Sequence, residues 1–235
     1  MKMTLTLAAV ASFAALHVAN AGNITGKVTL SGTPPPEKEI TPLKDDATCG
    51  KLTSGTPMTK FYVVGPNKEL ADVVVVVKGL EGKSTGASAA PAVVDQKGCE
   101  YTPQIFAVQT GQKIAVKNSD PVMHNVHSTP TVAGNAEENK GQMAGAADLN
   151  FSFAKPENFL RFKCDVHPWM FAWVTVVDHP YYAVTAKDGS FTIKDVPPGK
   201  YKVVALHRKG APTGVEKDVE VTADGAKADF TIEVK

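Results

Sequence analysis

Arg161-Phe162-Lys163-Cys164-Asp165-Val166-His167-Pro168-Trp169-Met170 joins two stretches that read as strands, Phe159–Lys163 and Phe171–Val177. Cys164, His167 and Met170 stand in it at C-x2-H-x2-M. That spacing puts three metal-type donors in one short inter-strand loop. His124 lies about forty residues upstream, on the edge of the strand Met123–Val126, after Asn118-Ser119-Asp120-Pro121. A thiolate, a thioether and two imidazoles are the donors of a blue-copper centre. The thiolate gives a short covalent bond. Two imidazole nitrogens complete a trigonal plane that suits both oxidation states, and a weak, distant thioether tunes the potential. Zinc accepts Cys and His, but Met is a poor zinc ligand. Taken singly, each of these residues reads as packing or surface. Taken together, they point to one type 1 copper ion at His124, Cys164, His167 and Met170.

The cysteine count sharpens this reading. There are three, Cys49, Cys99 and Cys164. Lys2, an apolar run from Met3 to Leu16, and Ala19-Asn20-Ala21 before Gly22 have the form of a secretory leader, residues 1–21, cleaved near Ala21. The run is too short for a membrane span. The expectation is an exported, periplasmic protein with no membrane span after cleavage. In an oxidising compartment two thiols pair and one is left over. Cys164 has metal-type neighbours and the other two have none, so Cys49 is paired with Cys99. Closing that loop stabilises by about 3–4 kcal/mol in the chain-entropy model.

The remaining sequence sets the fold class. Of 235 residues, 43% are apolar and 21% charged, ordinary globular values that exclude general disorder. Lys and Arg number 25 against 24 acids, with no basic block, so a nucleic-acid partner is not expected. Val73–Val77 is a β-branched run that reads as a strand buried on both faces. Short strands follow one another: Ile24–Leu30, Ala92–Asp95, Ile105–Val108, Lys113–Asn118, Phe151–Phe153, Tyr181–Thr185, Ser190–Ile193, Tyr201–Leu206, Val215–Val221 and Ala228–Val234. Turn chemistry separates the later ones, as in Lys187-Asp188-Gly189 and Pro197-Pro198-Gly199. Residues 37–68 read as turn-rich, 79–91 as a linker and 128–148 as a polar excursion. The fold class is all-β, two β-sandwiches.

Met123-His124-Asn125-Val126-His127 and the loop Cys164–Met170 resemble the small cupredoxins, of the amicyanin and plastocyanin kind and most closely the amicyanin type. The resemblance covers residues 90–178 and implies a Greek-key cupredoxin sandwich with the four ligands above. It makes Asn125 a residue beside the thiolate and leaves His127 a partly buried non-ligand. Asp165 departs from the usual Ser or Thr after the Cys and brings negative charge near the sulfur, which favours Cu(II). Met123 stands where the amicyanin type has Pro. The stretch Thr185–Leu206, with its Gly-x-Phe strand and Pro-Pro-Gly-x-Tyr turn, resembles the carboxypeptidase regulatory-like (transthyretin-like) sandwich. That family's first strands resemble Ile24–Val28 and Ala71–Val75. One arrangement therefore builds a sandwich from residues 22–86 and 179–235, with the cupredoxin of 90–178 between them. The other packs an N-terminal extension on the cupredoxin, followed by a separate tail.

Function follows the metal. The first reading is a single-electron carrier, not an enzyme, that meets a redox partner protein near His167, Pro168 and Trp169. The second is copper handling without a dedicated redox partner, which Met123 and Met143 favour. Gly82-Lys83-Ser84-Thr85-Gly86 matches G-x-S-x-G, but that motif works on a strand–turn–helix of an α/β sheet. Lys163 and Asp165 flank Cys164 where a multicopper centre has His. His207 reads as a surface residue.

Overall fold

Val73 to Val77 are all buried, and two separate cores account for it. Val73, Val75 and Val77 face one cluster, and Val74 and Val76 face another. Side chains alternate along a strand, so a run with no polar member needs an apolar layer on each side. The computed structural model describes residues 20–234; the expected leader falls almost wholly outside them. The chain is all-β, with 48% of residues in strands and 6% in helices.

In chain order the elements are β1 (Gly22–Ser31), α1 (Thr41–Asp45), α2 (Cys49–Leu52), β2 (Val74–Lys78), β3 (Ala92–Gln96), β4 (Tyr101–Thr102), β5 (Ile105–Gln109), β6 (Ile114–Asn118), β7 (His124–Thr129), β8 (Glu138–Gln142) and β9 (Leu149–Phe151). They continue as β10 (Glu157–Lys163), β11 (Phe171–Val177), β12 (Tyr182–Val184), β13 (Ser190–Val196), β14 (Gly199–His207), β15 (Ala211–Val221), β16 (Ala226–Lys227) and β17 (Phe230–Glu233). They form four sheets. β5-β11-β10-β7-β8 faces β4-β3-β6-β9 across a core that holds Val126, Phe162, Cys164 and Met170. β12-β2-β14-β15 faces the sheet built on β1 across a second core with Ile24, Val75 and Ile193. β1 pairs antiparallel with β13 and parallel with β16 and β17, so the earliest described strand and the last ones share a sheet. A smaller apolar seam, with Val74, Val76, Ile105, Val177 and Leu206, joins β2 and β14 to β5 and β11.

Four expectations change. The polar excursion 128–148 contains β8, which pairs with β7 at the edge of its sheet. Of its five residues only Gln142 is buried, so hydrophobic alternation gave no signal. The turn-rich stretch 37–68 contains α1 and α2, whose Leu43 and Cys49 enter the Phe162 core. The stretch 79–91 is not a free linker. The Ser84 hydroxyl donates to the Thr110 carbonyl at 2.7 Å, and a Cβ on Gly86 would lie 2.2 Å from that same oxygen. His207 is not on the surface: it is 3% exposed, stacks on Tyr62 and accepts the Gly210 N–H at Nδ1 (3.0 Å).

Two outcomes test this architecture. Val75→Ala and Val76→Ala should each cost about 2 kcal/mol in urea unfolding; a neutral Val76→Ala would mean that the seam is not a packed layer. Burial, then the neighbouring Arg208 charge, pushes the His207 imidazole down to about 4. It is neutral in the fold and protonates more readily in the unfolded chain. Its contribution is therefore whole above about pH 6.5 and is lost as pH falls toward 4. His207→Gln should flatten the fall in stability across that window.

Candidate metal centre

Three strands meet at the site. β10 lies antiparallel to β7, with Lys163 opposite His127, and antiparallel to β11, with Lys163 opposite Phe171. The segment 164–170 is therefore a hairpin loop whose first residue emerges beside the start of β7. The loop is closed from within: the Cys164 N–H donates to the Met170 carbonyl (3.1 Å) and the Met170 N–H to the His167 carbonyl (2.8 Å). Cys164 is a free, buried thiol, and the other two cysteines form the Cys49–Cys99 disulfide.

The register brings three of the four expected ligands together. Nδ1 of His124 lies 3.0 Å from Nδ1 of His167, and Cys164 Sγ lies 3.8 Å from the latter. One donor atom from each of the three falls within 4.8 Å of the others. Metal–ligand bonds of about 2.0–2.3 Å place two donors of one ion roughly 3–4 Å apart, so this trio fits a single ion. The donors are soft or borderline, a set that suits copper or zinc far better than magnesium or calcium. Met170 is buried in the same core, its backbone bonded to Cys164 and His167. His127 stands outside the trio.

Electrostatics prepare the sulfur. Burial pushes the Cys164 thiol up, but His124 and the N–H groups of Asn125, His167 and Val166 outweigh it and hold the thiol below its ordinary value. Burial likewise lowers His124, yet its bonds to Asp120 and Cys164 prevail and hold it up at about 8. Burial and the His124 charge lower His167. Asn125 bolts the strand to the loop. Its backbone N–H points at Cys164 Sγ (3.5 Å), and its Oδ1 accepts the Asp165 N–H (2.7 Å) and the thiol (3.2 Å).

Asp120 is a residue that the sequence pattern did not single out. It is buried, and its carboxylate accepts from His124 Nε2 (3.0 Å), the Cys99 N–H (2.8 Å) and the Gly98 N–H (2.6 Å). A carboxylate on the outer imidazole nitrogen fixes the ring's orientation and its tautomer. Its position four residues before a candidate ligand was the one signal the sequence offered. Trp169 also reaches this point: its indole N–H donates to the Cys99 carbonyl (3.1 Å), and its ring lies 5.3 Å from that of His167. Asp165 is exposed but not bare. Lys163 Nζ is 2.7 Å from its Oδ1, while His127 and Asn139 meet its Oδ2 at 2.8 Å. Lys163 first, then these neighbours, keep the carboxyl well below its usual range.

A family model described as polysaccharide lyase family 4, domain II matches residues 168–229. None of the curated proteins compared matches the chain. Among solved structures, a copper-containing nitrite reductase from Thermus scotoductus SA-01 is 18% identical, with a TM-score of 0.34 over 38% of this chain and 23% of that one. A mutant amicyanin in its Cu(I) form is 23% identical, with a TM-score of 0.33 over 43% of this chain and 97% of that one. A purple cupredoxin from Nitrosopumilus maritimus is 20% identical, with a TM-score of 0.31 over 36% of this chain and 98% of that one. The chain thus spans under a quarter of the nitrite reductase and nearly all of the two smaller proteins.

Proposed function

We propose that this chain is an exported copper protein that carries single electrons, holding one type 1 copper ion at His124, Cys164, His167 and Met170. The observation that carries the reading is the convergence of a buried, unpaired thiol with two imidazole Nδ1 atoms. Copper supplies a one-electron couple, Cu(I)/Cu(II), between donors that need not rearrange. The protein's part is to keep those donors still. Asp120 fixes His124, Asn125 holds the Cys164 sulfur against β7, and the two backbone bonds of the loop set Met170 relative to Cys164 and His167.

His167 is the half-buried member of the trio and Pro168 beside it is exposed, so the edge near His167, Pro168 and Trp169 is where a redox partner protein docks. The pairing of β1 with β13 and β17 favours one sandwich made of residues 22–86 and 179–235 around the metal-holding segment 90–178. We read that sandwich as a regulatory-like, non-catalytic module. No helix among the described residues is long and apolar enough to cross a membrane.

A second reading, copper handling without a dedicated redox partner, draws on Met123 and Met143. Met123 directly precedes His124 and Met143 directly follows Gln142, its strand partner, and the two are 39% and 66% exposed. Rapid, reversible loss of Cu(I) to a competing chelator would favour it, and slow exchange favours electron transfer.

Loading with Cu(II) should give an intense blue thiolate-to-copper band that Cys164→Ala abolishes; a colourless, fully loaded protein would overturn the reading. The Asp165 charge lies close to the sulfur and is balanced by Lys163. Asp165→Ser should raise the reduction potential and Lys163→Met should lower it, as protein-film voltammetry can measure. An unchanged potential in both would remove Asp165 from the account.

A further inference from the structure

We propose that the Cys49–Cys99 disulfide masks a second metal site, made of Cys99, Asp120 and His124, which takes a thiophilic divalent cation of the zinc or cadmium type once a thiol reductant opens the bond. The sulfur of Cys99, a carboxylate oxygen of Asp120 and a ring nitrogen of His124 lie within 4.8 Å of one another, and all three residues are buried. Cys, Asp and His are zinc donors. A cystine sulfur is not, because the ligand is the thiolate.

The geometry keeps the trio together after the bond is cut. Cys99 does not depend on Cys49 for its place. Its N–H is held by Asp120 (2.8 Å) and its carbonyl by the Trp169 indole (3.1 Å), and it sits in the Phe162 core. Asp120 is held by two backbone N–H groups besides His124. The imidazole of His124 divides the two sites. Nδ1 faces His167 and Nε2 faces Asp120.

Two reductant thiols give two electrons and two protons to the S–S bond and leave as their own disulfide. The Cys99 thiol then loses its proton to solvent as the cation binds. Nε2 of His124 gives up its proton to solvent and turns its lone pair to the cation, while Nδ1 stays toward His167.

The test needs no copper and is independent of the reading above. Cys164→Ala removes the thiol of the first trio. Cd(II) is added to this protein, and the ultraviolet cadmium–thiolate band is recorded with the disulfide intact and after thiol reduction and anaerobic desalting. Cys49→Ser/Cys164→Ala is titrated in parallel, since it frees Cys99 without reductant. We expect no band in the oxidised protein and a 1:1 band in both of the others. Asp120→Asn, or His124→Gln if that variant does not fold, should weaken Cd(II) at least tenfold. Absence of a 1:1 band in both opened proteins overturns the proposal, as does a band indifferent to Asp120 and His124. Loss of near-ultraviolet circular dichroism on opening the bond also overturns it, because the trio would then have no scaffold.

Discussion

Where β2 runs beside the second half of β14, their sheet has no face turned to water, and this constraint organises the molecule. Val75, Val203 and Ala205 look into one core, while Val74, Val76, Val204 and Leu206 look into the seam against β5 and β11. A sheet covered on both sides must find a partner layer for each face. The sheet built on β1 covers one, and the sheet that carries the metal-type residues covers the other. The two sandwiches are therefore joined by apolar burial over a shared layer, in addition to the chain that passes between them.

On that frame the site is assembled from segments far apart in sequence. β7 brings His124 and Asn125, the β10–β11 loop brings Cys164, His167 and Met170, and the 98–99 turn brings two N–H groups to Asp120. Burial makes these contacts matter. A hidden carboxylate without donors would be costly, so Asp120 keeps all of its partners, and by doing so fixes the imidazole of His124. The buried Gln96–Gln142 pair follows this logic only in part, because Gln96 Oε1 has no partner among the described residues. Gln96 Nε2 donates to Gln142 Oε1 (2.7 Å), and Gln142 Nε2 donates to the Val116 carbonyl (3.0 Å).

The disulfide stands at the junction of these segments. It ties α2, contributed by the stretch that leaves β1, to the turn that holds both Asp120 and Trp169. Each of the two imidazoles therefore has a neighbour anchored on Cys99. A covalent link at this position does more than shorten the unfolded chain. It adds a covalent tie from α2 to the turn against which the metal-type side chains are set, a turn that Asp120 and Trp169 also hold.

The sequence by itself determined most of the strands, the free thiol and the residues of the trio, because each has a local signature. The valine run announces burial on both faces, and three cysteines behind a leader-like segment announce one survivor. The spacing from Cys164 to Met170 announces a donor loop. What it did not carry were features that exist only after distant segments meet. β8 is an edge strand with one buried residue, so it has no hydrophobic pattern to read. Asp120 is one acid among many until Gly98 and Cys99 are brought to it. His207 looks like any exposed histidine until Tyr62 covers it. Only the tertiary structure decided these, because hydrogen bonds and burial between residues far apart in the chain are set by strand register and sheet packing, and neither leaves a mark on neighbouring residues.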